Sequence, residues 1–325
     1  MKAARFERPG IIDCIEVPDL QPRPGKVLVR MLQASLCGSD LHAVYMPLGP
    51  MDGPARPGAP GHEGVGEVVD SDDPRFPAGT VVLTAPNVEE AACFADYQLI
   101  DPAYLVALPQ GARPDHLVVA QPFGTAIFGL KQALGDSGTP DCAVVSGQGA
   151  IGLFFTWLLK RRGVRTVIAI EPDAGRRALS ASYGADLALD PAGDPVADAV
   201  RDVAGSGGAP FVVEAAGRDA SRASAIRLAA DEARVLLFGM PESMTMDGFP
   251  FGDVFLRRLT LISTHSSQEE ADLASFRQAV DHVARGDLPV EPLTRSAYRL
   301  DDIREAFEAA HHCADGVVKA RIDFT

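Results

Sequence analysis

The hydrophobic pattern of the chain changes near residue 120. Before that point, short runs rich in β-branched residues alternate with Pro/Gly-rich connections; the runs are KVLVRMLQASL (26–36), GVGEVVD (64–70) and TVVLTA (80–85). Short runs of this kind, bounded by turn-forming residues, predict strands. We therefore expect an irregular, mostly β first domain.

From Ala120 onward, a helical apolar pattern is followed by strands that alternate with helices. The helix is QPFGTAIFGLKQAL (121–134), and the strands are CAVVSG (142–147), RTVIAIE (165–171), PFVVEAA (210–216) and ARVLLFG (233–239). Nearly continuous apolar strands that alternate with helices are typical of a parallel sheet covered on both faces. The fold class that we predict is α/β, with a doubly wound parallel sheet beside the β-rich domain.

After Leu261 this alternation stops. The pattern then predicts a long helix, EEADLASFRQAVDHVARG (269–286), a short extended piece, a second helix, DDIREAFEAAHH (301–312), and a final strand, VVKARIDF (317–324). We expect this tail to fold back onto the first domain.

Composition and charge exclude several classes of partner. The chain has 325 residues, 46% of them hydrophobic, and a net charge of −14 with no Lys/Arg cluster, which argues against nucleic acid or an anionic membrane as partner. No apolar run is long enough to cross a bilayer and no export signal is evident, so we expect a cytoplasmic protein. The five cysteines are scattered, which favours reduced thiols.

A glycine-rich turn separates the strand CAVVS from the following helix. Its residues are Gly147, Gln148, Gly149, Ala150, Ile151 and Gly152. In a turn of this type the first glycine permits a tight bend, the second lets the backbone approach a pyrophosphate, and the third lets helix and strand pack closely. The helix N-terminus then attracts the negative charge, so the strand–turn–helix context predicts a dinucleotide site.

An acidic residue indicates which dinucleotide is bound. Glu171 closes the next strand, 19 residues after Gly152, near the spacing expected for the acid that bonds the adenosine ribose hydroxyls. NAD is favoured over NADP because a 2′-phosphate would lie beside this carboxylate, although Arg176 and Arg177 would soften the repulsion.

Two loops of the first domain carry metal-binding residue types. Cys37, Ser39, Asp40 and His42 follow an apolar strand in CGSDLH, and His62-Glu63 precedes the next in GHEGVGEV. Zinc accepts thiolate, imidazole and carboxylate ligands, and a catalytic site uses three protein ligands. The alternative is that Cys37 is a buried apolar residue and that the His62-Glu63 pair is satisfied within its loop.

The order CGSDLH, GHEGVGEV and GQGAIG resembles the zinc-dependent medium-chain alcohol dehydrogenases, especially the sorbitol and polyol dehydrogenase branch, over nearly the whole chain. The resemblance implies a GroES-like catalytic domain formed by residues 1–121 and 265–325, and a Rossmann dinucleotide-binding domain formed by residues 122–264. It further implies hydride transfer between a secondary alcohol, of the polyol, sugar or cyclitol type, and NAD. A small-molecule alcohol or ketone substrate and a homodimer or homotetramer are expected.

The same resemblance implies roles for individual residues. Cys37 and His62 would bind zinc, and Glu63 would be either the third ligand or a carboxylate close to the metal. Asp40 would orient the His62 ring. Ser39 would hydrogen-bond the substrate oxygen, His42 would pass its proton to solvent, and Thr125 would pack on the nicotinamide ring.

Two departures from the family pattern concern the metal. Many relatives carry four closely spaced cysteines for a structural zinc, whereas only Cys93 lies between Thr80 and Tyr97, so we expect one catalytic zinc and no structural zinc. Gln121 occupies a position where relatives place Cys, Asp or Glu. An amide oxygen is a weak zinc ligand, so Gln121 is expected to hydrogen-bond a water or substrate oxygen near the metal.

Two other functions remain open. A site without metal would indicate a zinc-free medium-chain reductase of an activated alkene or quinone, and the fold alone is compatible with a non-catalytic NAD-binding protein. The intact set of Cys37, Ser39, His42, His62 and Glu63 favours the zinc enzyme.

Three further positions carry residues that often have a function. The same resemblance implies that His265 contacts the substrate and that Lys319 pairs with Glu63. The alternatives are a surface or packing histidine and a solvated edge-strand lysine. The consecutive residues His311, His312 and Cys313 point in different directions near a helix end, and we interpret them as a solvated terminus rather than a metal site.

Overall fold

The computed structural model describes residues 1–47, 54–205, 207–313 and 316–324. Within these ranges the strands are β1 (Lys2–Arg8), β2 (Ile11–Glu16), β3 (Val27–Ser35), β4 (Glu63–Asp70), β5 (Val81–Thr84), β6 (Tyr97–Ile100), β7 (Leu105–Ala107), β8 (Cys142–Ser146), β9 (Thr166–Ile170), β10 (Leu187–Leu189), β11 (Ala209–Glu214), β12 (Ala229–Leu237), β13 (Thr260–Ser263), β14 (Ser296–Arg299) and β15 (Ala320–Asp323). The α-helices are α1 (Gly38–Tyr45), α2 (Pro114–Leu117), α3 (Ala120–Leu134), α4 (Ala150–Arg161), α5 (Ala174–Ser182), α6 (Val196–Ala204), α7 (Asp219–Leu228), α8 (Phe251–Leu256), α9 (Ala274–Ala284), α10 (Glu291–Thr294) and α11 (Ile303–His311).

The chain forms two compact units, and the first contains both ends of the sequence. It comprises Met1–Thr125 and Ser266–Thr325. Its main sheet has the strand order β14-β15-β3-β4-β5-β7, with β6 also paired to β3, while β1 and β2 form a separate antiparallel pair. The carboxy-terminal strand β15 pairs antiparallel with β3, so the tail of the chain completes the sheet that begins near the amino terminus.

The core of the first unit is formed by residues of its strands together with residues of helix α11. Inward-facing side chains of β3, including Val27, Val29 and Met31, pack with Phe94 and with Phe307 of α11. The rings of Phe94 and Phe307 meet edge to face, with centroids 5.8 Å apart. Helix α11 therefore buries its apolar side against this β-rich unit.

The second unit, Ala126–His265, is a doubly wound α/β domain. Its sheet has the order β10-β9-β8-β11-β12-β13, and each neighbouring pair is parallel. This order matches the Rossmann arrangement of two mononucleotide-binding halves. All five residues of β8 are buried, as a strand covered on both faces requires. The predicted fold class is confirmed.

The tail differs in detail from the sequence prediction. The long helix was expected from residue 269, but α9 begins at Ala274. Short 3₁₀ turns precede it, and Asp272 and Leu273 adopt left-handed backbone conformations, with φ of +56° and +51°, that interrupt the helix. The extended piece contains the short helix α10 and strand β14, and β15 begins at Ala320 rather than at residue 317.

A search for membrane-spanning segments covered the described residues. None of the helices there has the length and the apolar composition needed to cross a bilayer.

Candidate active site

Strand β3 and helix α1 position the first candidate ligand. Cys37 is the residue that precedes α1, with an extended backbone (φ −93°, ψ 156°). The carboxylate of Asp40, in the first turn of the helix, accepts a hydrogen bond from the backbone N–H of Cys37 at 2.9 Å. This contact satisfies a backbone donor at the start of the helix and holds the Cys37 backbone in place.

The register of the sheet explains why the two motifs meet. Ser35, the last residue of β3, is paired with Glu63, the first residue of β4. The loop leaving β3 and the loop entering β4 therefore lie side by side. As a result, one ligand atom each from Cys37, His62 and Glu63 lies within 4.8 Å of the others.

Two oxygen atoms lie close to Nδ1 of His62. Its Nδ1 lies 3.1 Å from the carbonyl oxygen of Pro60 and 3.1 Å from Oδ1 of Asp40. Asp40 is fully buried, and burial raises its pKa while the neighbouring His62 ring opposes that shift. Burial lowers the pKa of His62, but the Asp40 carboxylate outweighs this effect, so the pKa lies well above its usual value. A ring held through Nδ1 presents Nε2 to a metal.

The two carboxylate oxygens of Glu63 have different surroundings. Oε2 forms an ion pair with Nζ of Lys319 at 2.5 Å and accepts a hydrogen bond from the Ser35 hydroxyl. Lys319 also donates to the carbonyl oxygen of Leu36 at 2.9 Å. Oε1 is buried and has no hydrogen-bond partner among the described residues. One oxygen is therefore fixed, and the other remains available to a ligand.

These residues fit a zinc ion. Thiolate, imidazole and carboxylate form a donor set that zinc accepts, and their separations allow one ion to contact all three. The buried, unpartnered Oε1 of Glu63 would be costly without a cation or another donor nearby. In the described part of the chain, no other group of three or more His, Cys, Asp or Glu side chains has this geometry.

Other predicted site residues lie on helices α1 and α3. Ser39 and His42 are both half-buried on α1, and their spacing of three residues places them on one face of the helix. Gln121 is 5% exposed in the first turn of α3. Thr125, in the next turn, donates its hydroxyl hydrogen to the carbonyl oxygen of Pro122 at 2.8 Å.

Sequence reasoning missed one residue and left another undecided. Ser35 was not singled out, although it is buried and donates to Glu63. Its position two residues before Cys37, at the end of an apolar strand, was the available signal. Lys319 is the partner of Glu63 rather than a solvated lysine.

The remaining candidates lie elsewhere. His265, His312 and Cys313 are exposed. His311 does not belong to a solvated terminus as expected, because its ring stacks on that of Tyr45 with centroids 4.1 Å apart. Cys93 is fully buried in the core of the first unit.

In the second unit, the three glycines of the turn between β8 and α4 differ in their surroundings. Gly147 has a φ of +88°, in the left-handed region that favours glycine. A Cβ on Gly149 would meet no atom within 4 Å, whereas a Cβ on Gly152 would lie 1.8 Å from the carbonyl oxygen of Gly147. Gly149 thus leaves open space at the N-terminus of α4, while Gly152 permits close packing; Ala150 and Ile151 form the first turn of α4 between them.

Glu171 lies next to this turn. It is 5% exposed, and its carboxylate accepts hydrogen bonds from the backbone N–H groups of Gln148 at 2.6 Å and Asp173 at 3.0 Å. Arg177 donates to the carbonyl oxygens of Glu171 at 2.7 Å and Pro172 at 2.5 Å, so its guanidinium is already engaged, and Arg176 is half-buried on the same helix.

The β-rich unit with its Cys-His-Glu cluster and the parallel unit with its glycine turn define a zinc-type dehydrogenase of two domains. Comparison with family models supports this class: residues 23–110 match the alcohol dehydrogenase GroES-like domain, and residues 150–285 match the zinc-binding dehydrogenase domain.

Individual relatives agree with this classification. The chain is 30% identical to the D-altritol 5-dehydrogenase of Agrobacterium fabrum, over 82% of this chain and 84% of that protein. Its fold matches that of L-idonate 5-dehydrogenase from Escherichia coli, with a TM-score of 0.84 at 20% identity, covering 99% of this chain and 98% of the other. It also matches an alcohol dehydrogenase from Thermus sp. ATN1, with a TM-score of 0.86 at 22% identity over 100% of both chains. The chain belongs to the zinc-binding alcohol dehydrogenase family and is an oxidoreductase.

Proposed function

We propose that this protein oxidises a secondary alcohol of the polyol, sugar or cyclitol type, or reduces the corresponding ketone, with NAD and one zinc ion held by Cys37, His62 and Glu63. The observation that carries the proposal is that one ligand atom from each of these three side chains lies within 4.8 Å of the others. It is supported by the buried Oε1 of Glu63, which has no hydrogen-bond partner among the described residues. The similarity to a D-altritol 5-dehydrogenase supports a polyol as the substrate class.

The proposed roles in catalysis and in dinucleotide binding fall on different compact units. We assign residues 1–121 and 265–325 to catalysis and residues 122–264 to dinucleotide binding, a division close to that of the compact units. Gly147, Gly149, Ala150, Ile151 and Gly152 would hold the pyrophosphate at the N-terminus of α4.

The preference for NAD rests on Glu171 and its neighbours. The Glu171 carboxylate would accept from the ribose hydroxyls and repel a 2′-phosphate. Arg177 is occupied by carbonyl oxygens and lies 3.4 Å from Asp190, so it is poorly placed to bind that phosphate. Arg176, on the same helix, would line the cofactor site, and Thr125 would contact the nicotinamide.

The chain's own residues would move the proton. When bound, zinc supplies a Lewis acid for the substrate oxygen, and NAD accepts the hydride. Asp40 holds the His62 ring, and Lys319 and Ser35 hold one oxygen of Glu63. The Ser39 hydroxyl would accept the proton of the substrate hydroxyl while releasing its own towards His42, and His42 would pass that proton to solvent. Gln121 would orient the substrate oxygen by a hydrogen bond.

A turnover screen tests the proposal. Zinc-loaded protein would be assayed with simple alcohols, polyols, cyclitols and amino sugars, each with NAD and with NADP, and the Cys37→Ser variant would serve as the control for contaminating activity. We expect NAD reduction with at least one polyol or cyclitol and none with the variant. Absence of turnover across this panel, together with zinc-independent reduction of a quinone or an activated alkene, would overturn the proposal.

A further inference from the structure

A buried carboxylate lies at the carboxyl end of strand β11, in the second unit. Glu214 is fully buried, and its Oε1 accepts hydrogen bonds from the backbone N–H groups of Ala216 and Gly217, both at 2.9 Å. Its Oε2 is also buried and accepts no hydrogen bond from the described residues. Glu214 therefore fixes the loop that follows β11 with one oxygen and leaves the other in the interior.

An arginine fixes the next loop, the one that follows strand β12. Arg222 of α7 is 8% exposed and donates to the carbonyl oxygens of Gly239 and Met240, both at 3.0 Å, just after β12. Its guanidinium also donates to Asp219 at 2.8 Å, and its Nε lies 4.0 Å from Oε2 of Glu214. The two side chains thus form a buried ion pair that joins the loops following β11 and β12.

The backbones of the two loops lie so close together that there is no room for a side chain at Gly217 or Gly239. A Cβ on Gly217, whose φ is +75°, would lie 2.4 Å from the carbonyl oxygen of Met240. A Cβ on Gly239 would lie 2.2 Å from the backbone nitrogen of Gly217. A shift of one loop must therefore move the other.

The first of these loops also lies against the glycine turn. A Cβ on Gly147 would come within 2.8 Å of the backbone nitrogen of Ala216. The hydroxyls of Ser146, at the end of β8, and Ser221, on α7, are 2.9 Å apart. The loop held by Glu214 is therefore packed directly against the turn assigned to the pyrophosphate.

The topology indicates which part of a dinucleotide these loops face. In a doubly wound sheet the cofactor lies across the carboxyl ends of the strands, and each half of the sheet binds one mononucleotide. Strands β8, β9 and β10 form the half that contains Glu171, and β11, β12 and β13 form the other half. The loops after β11 and β12 consequently belong to the nicotinamide half.

We propose that Glu214 and Arg222 are positioning residues that hold the loops after β11 and β12 in the shape that binds the nicotinamide mononucleotide half of the cofactor. The proposal rests on the dinucleotide use given under Proposed function. The alternative is a purely structural role. In that case the buried pair stabilises the whole second unit, and its loss weakens the binding of every cofactor fragment equally.

Binding of cofactor fragments separates the two roles. Titration calorimetry would measure the affinity of the full-length, zinc-loaded protein for NADH and for AMP, which occupies only the adenosine half. Glu214→Gln keeps the size of the side chain but replaces the oxygen facing Arg222 with a donor. Arg222→Lys keeps the charge but cannot reach both carbonyl oxygens and Asp219 at once. Glu232→Gln, at an exposed residue of β12 paired with Arg258, is the matched control.

We expect Glu214→Gln to weaken NADH binding by about tenfold while AMP binding changes by less than about twofold, with a similar pattern in Arg222→Lys and no change in Glu232→Gln. Equal weakening of NADH and AMP, or unchanged affinity for both in the two variants, would overturn the proposal. If Glu214→Gln does not fold, the result with Arg222→Lys decides. Failure of the unmodified protein to bind NADH would instead overturn the proposed function itself.

Discussion

At the scale of single residues, the surroundings of Glu63 explain how a charged side chain is stabilised in the interior. Its Oε2 is neutralised by Lys319 and bonded to Ser35, while Oε1 has no hydrogen-bond partner among the described residues. A buried carboxylate is costly unless it is paired, and the lysine offsets that cost without occupying both oxygens. The arrangement leaves one oxygen of the Glu63 carboxylate available beside Cys37 and His62.

Ser39 provides the first test at this scale. Replacing it with alanine removes the hydroxyl proposed to relay the proton but none of the proposed zinc ligands, so Ser39→Ala should lower kcat by about 10²–10⁴-fold while zinc content and NADH affinity stay unchanged. Steady-state kinetics, metal analysis and calorimetry on the same preparation check this. His42→Ala should have a smaller effect, since water can replace a group that delivers protons to solvent. Wild-type turnover by Ser39→Ala would exclude the proton path.

Glu171 provides the second test. Glu171→Gln retains an acceptor for the backbone N–H of Gln148 and removes the charge that would repel a 2′-phosphate. We expect the ratio of kcat/KM for NAD to that for NADP to fall by about 5- to 150-fold, equivalent to ~1–3 kcal/mol for one charged hydrogen bond. An unchanged ratio, or a wild-type preference for NADP, would contradict the assignment of this residue.

At the scale of elements, the first turn of helix α1 contains Asp40, which contacts both the backbone of Cys37 and the ring of His62. Asp40 accepts from the backbone N–H of Cys37 through Oδ2 and lies 3.1 Å from the His62 ring through Oδ1. We therefore expect both the start of the helix and the orientation of the imidazole to depend on this carboxylate.

Two substitutions separate these tasks. Asp40→Asn can still accept from Cys37 but cannot offer an anionic acceptor to His62 as well, so zinc affinity should fall by about 10- to 100-fold. Asp40→Ala should lose the helix-start contact too, at a further cost of about 1 kcal/mol in the free energy of unfolding. Chelator competition measures the affinity, and urea unfolding of the metal-free protein measures the stability. Zinc affinity equal to wild type in both variants would show that Asp40 does not orient His62.

The ion pair between Lys319 and Glu63 joins strand β15 to strand β4 across β3. Lys319→Met would leave the Glu63 charge buried and uncompensated, so the free energy of unfolding should decrease by about 3–5 kcal/mol. Adding Glu63→Gln to the same chain removes that charge and should restore much of the loss. Urea unfolding of the metal-free single and double variants forms the cycle. Additive losses in the double variant would rule out a direct interaction of this strength.

Local patterns allowed some of these elements and contacts to be predicted from sequence, but not others. The strand–turn–helix context of Gly147 to Gly152 and the two loops carrying Cys37 and His62 are short-range signals, and the structure contains both. Ser35 was missed because its hydroxyl bonds to Glu63, 28 residues away, through a strand register that no local pattern specifies. The helix at 269–286 was predicted too long because Asp272 and Leu273 leave helical geometry, which the apolar periodicity of the segment does not reveal.

At the scale of the whole molecule, the two compact units contain different parts of the proposed chemistry. The first unit gathers the Cys-His-Glu cluster from two loops and completes its sheet with the last strand of the chain. The second supplies a six-stranded parallel sheet with the glycine turn at the carboxyl end of β8. Membership of the zinc-binding dehydrogenase family agrees with both. The central claim is therefore that one zinc ion at the first cluster is required for dehydrogenase activity.

Zinc stoichiometry measured together with activity tests this claim most directly. Mass-spectrometric metal analysis would be applied to wild type, to Cys37→Ser, and to Cys313→Ser as a matched control at an exposed cysteine. We predict one zinc per chain and full activity in wild type and Cys313→Ser, with most metal and nearly all activity lost in Cys37→Ser because the thiolate is the strongest ligand. Full dehydrogenase activity in protein with no detectable metal would contradict the account, and two zinc ions per chain would contradict its single site.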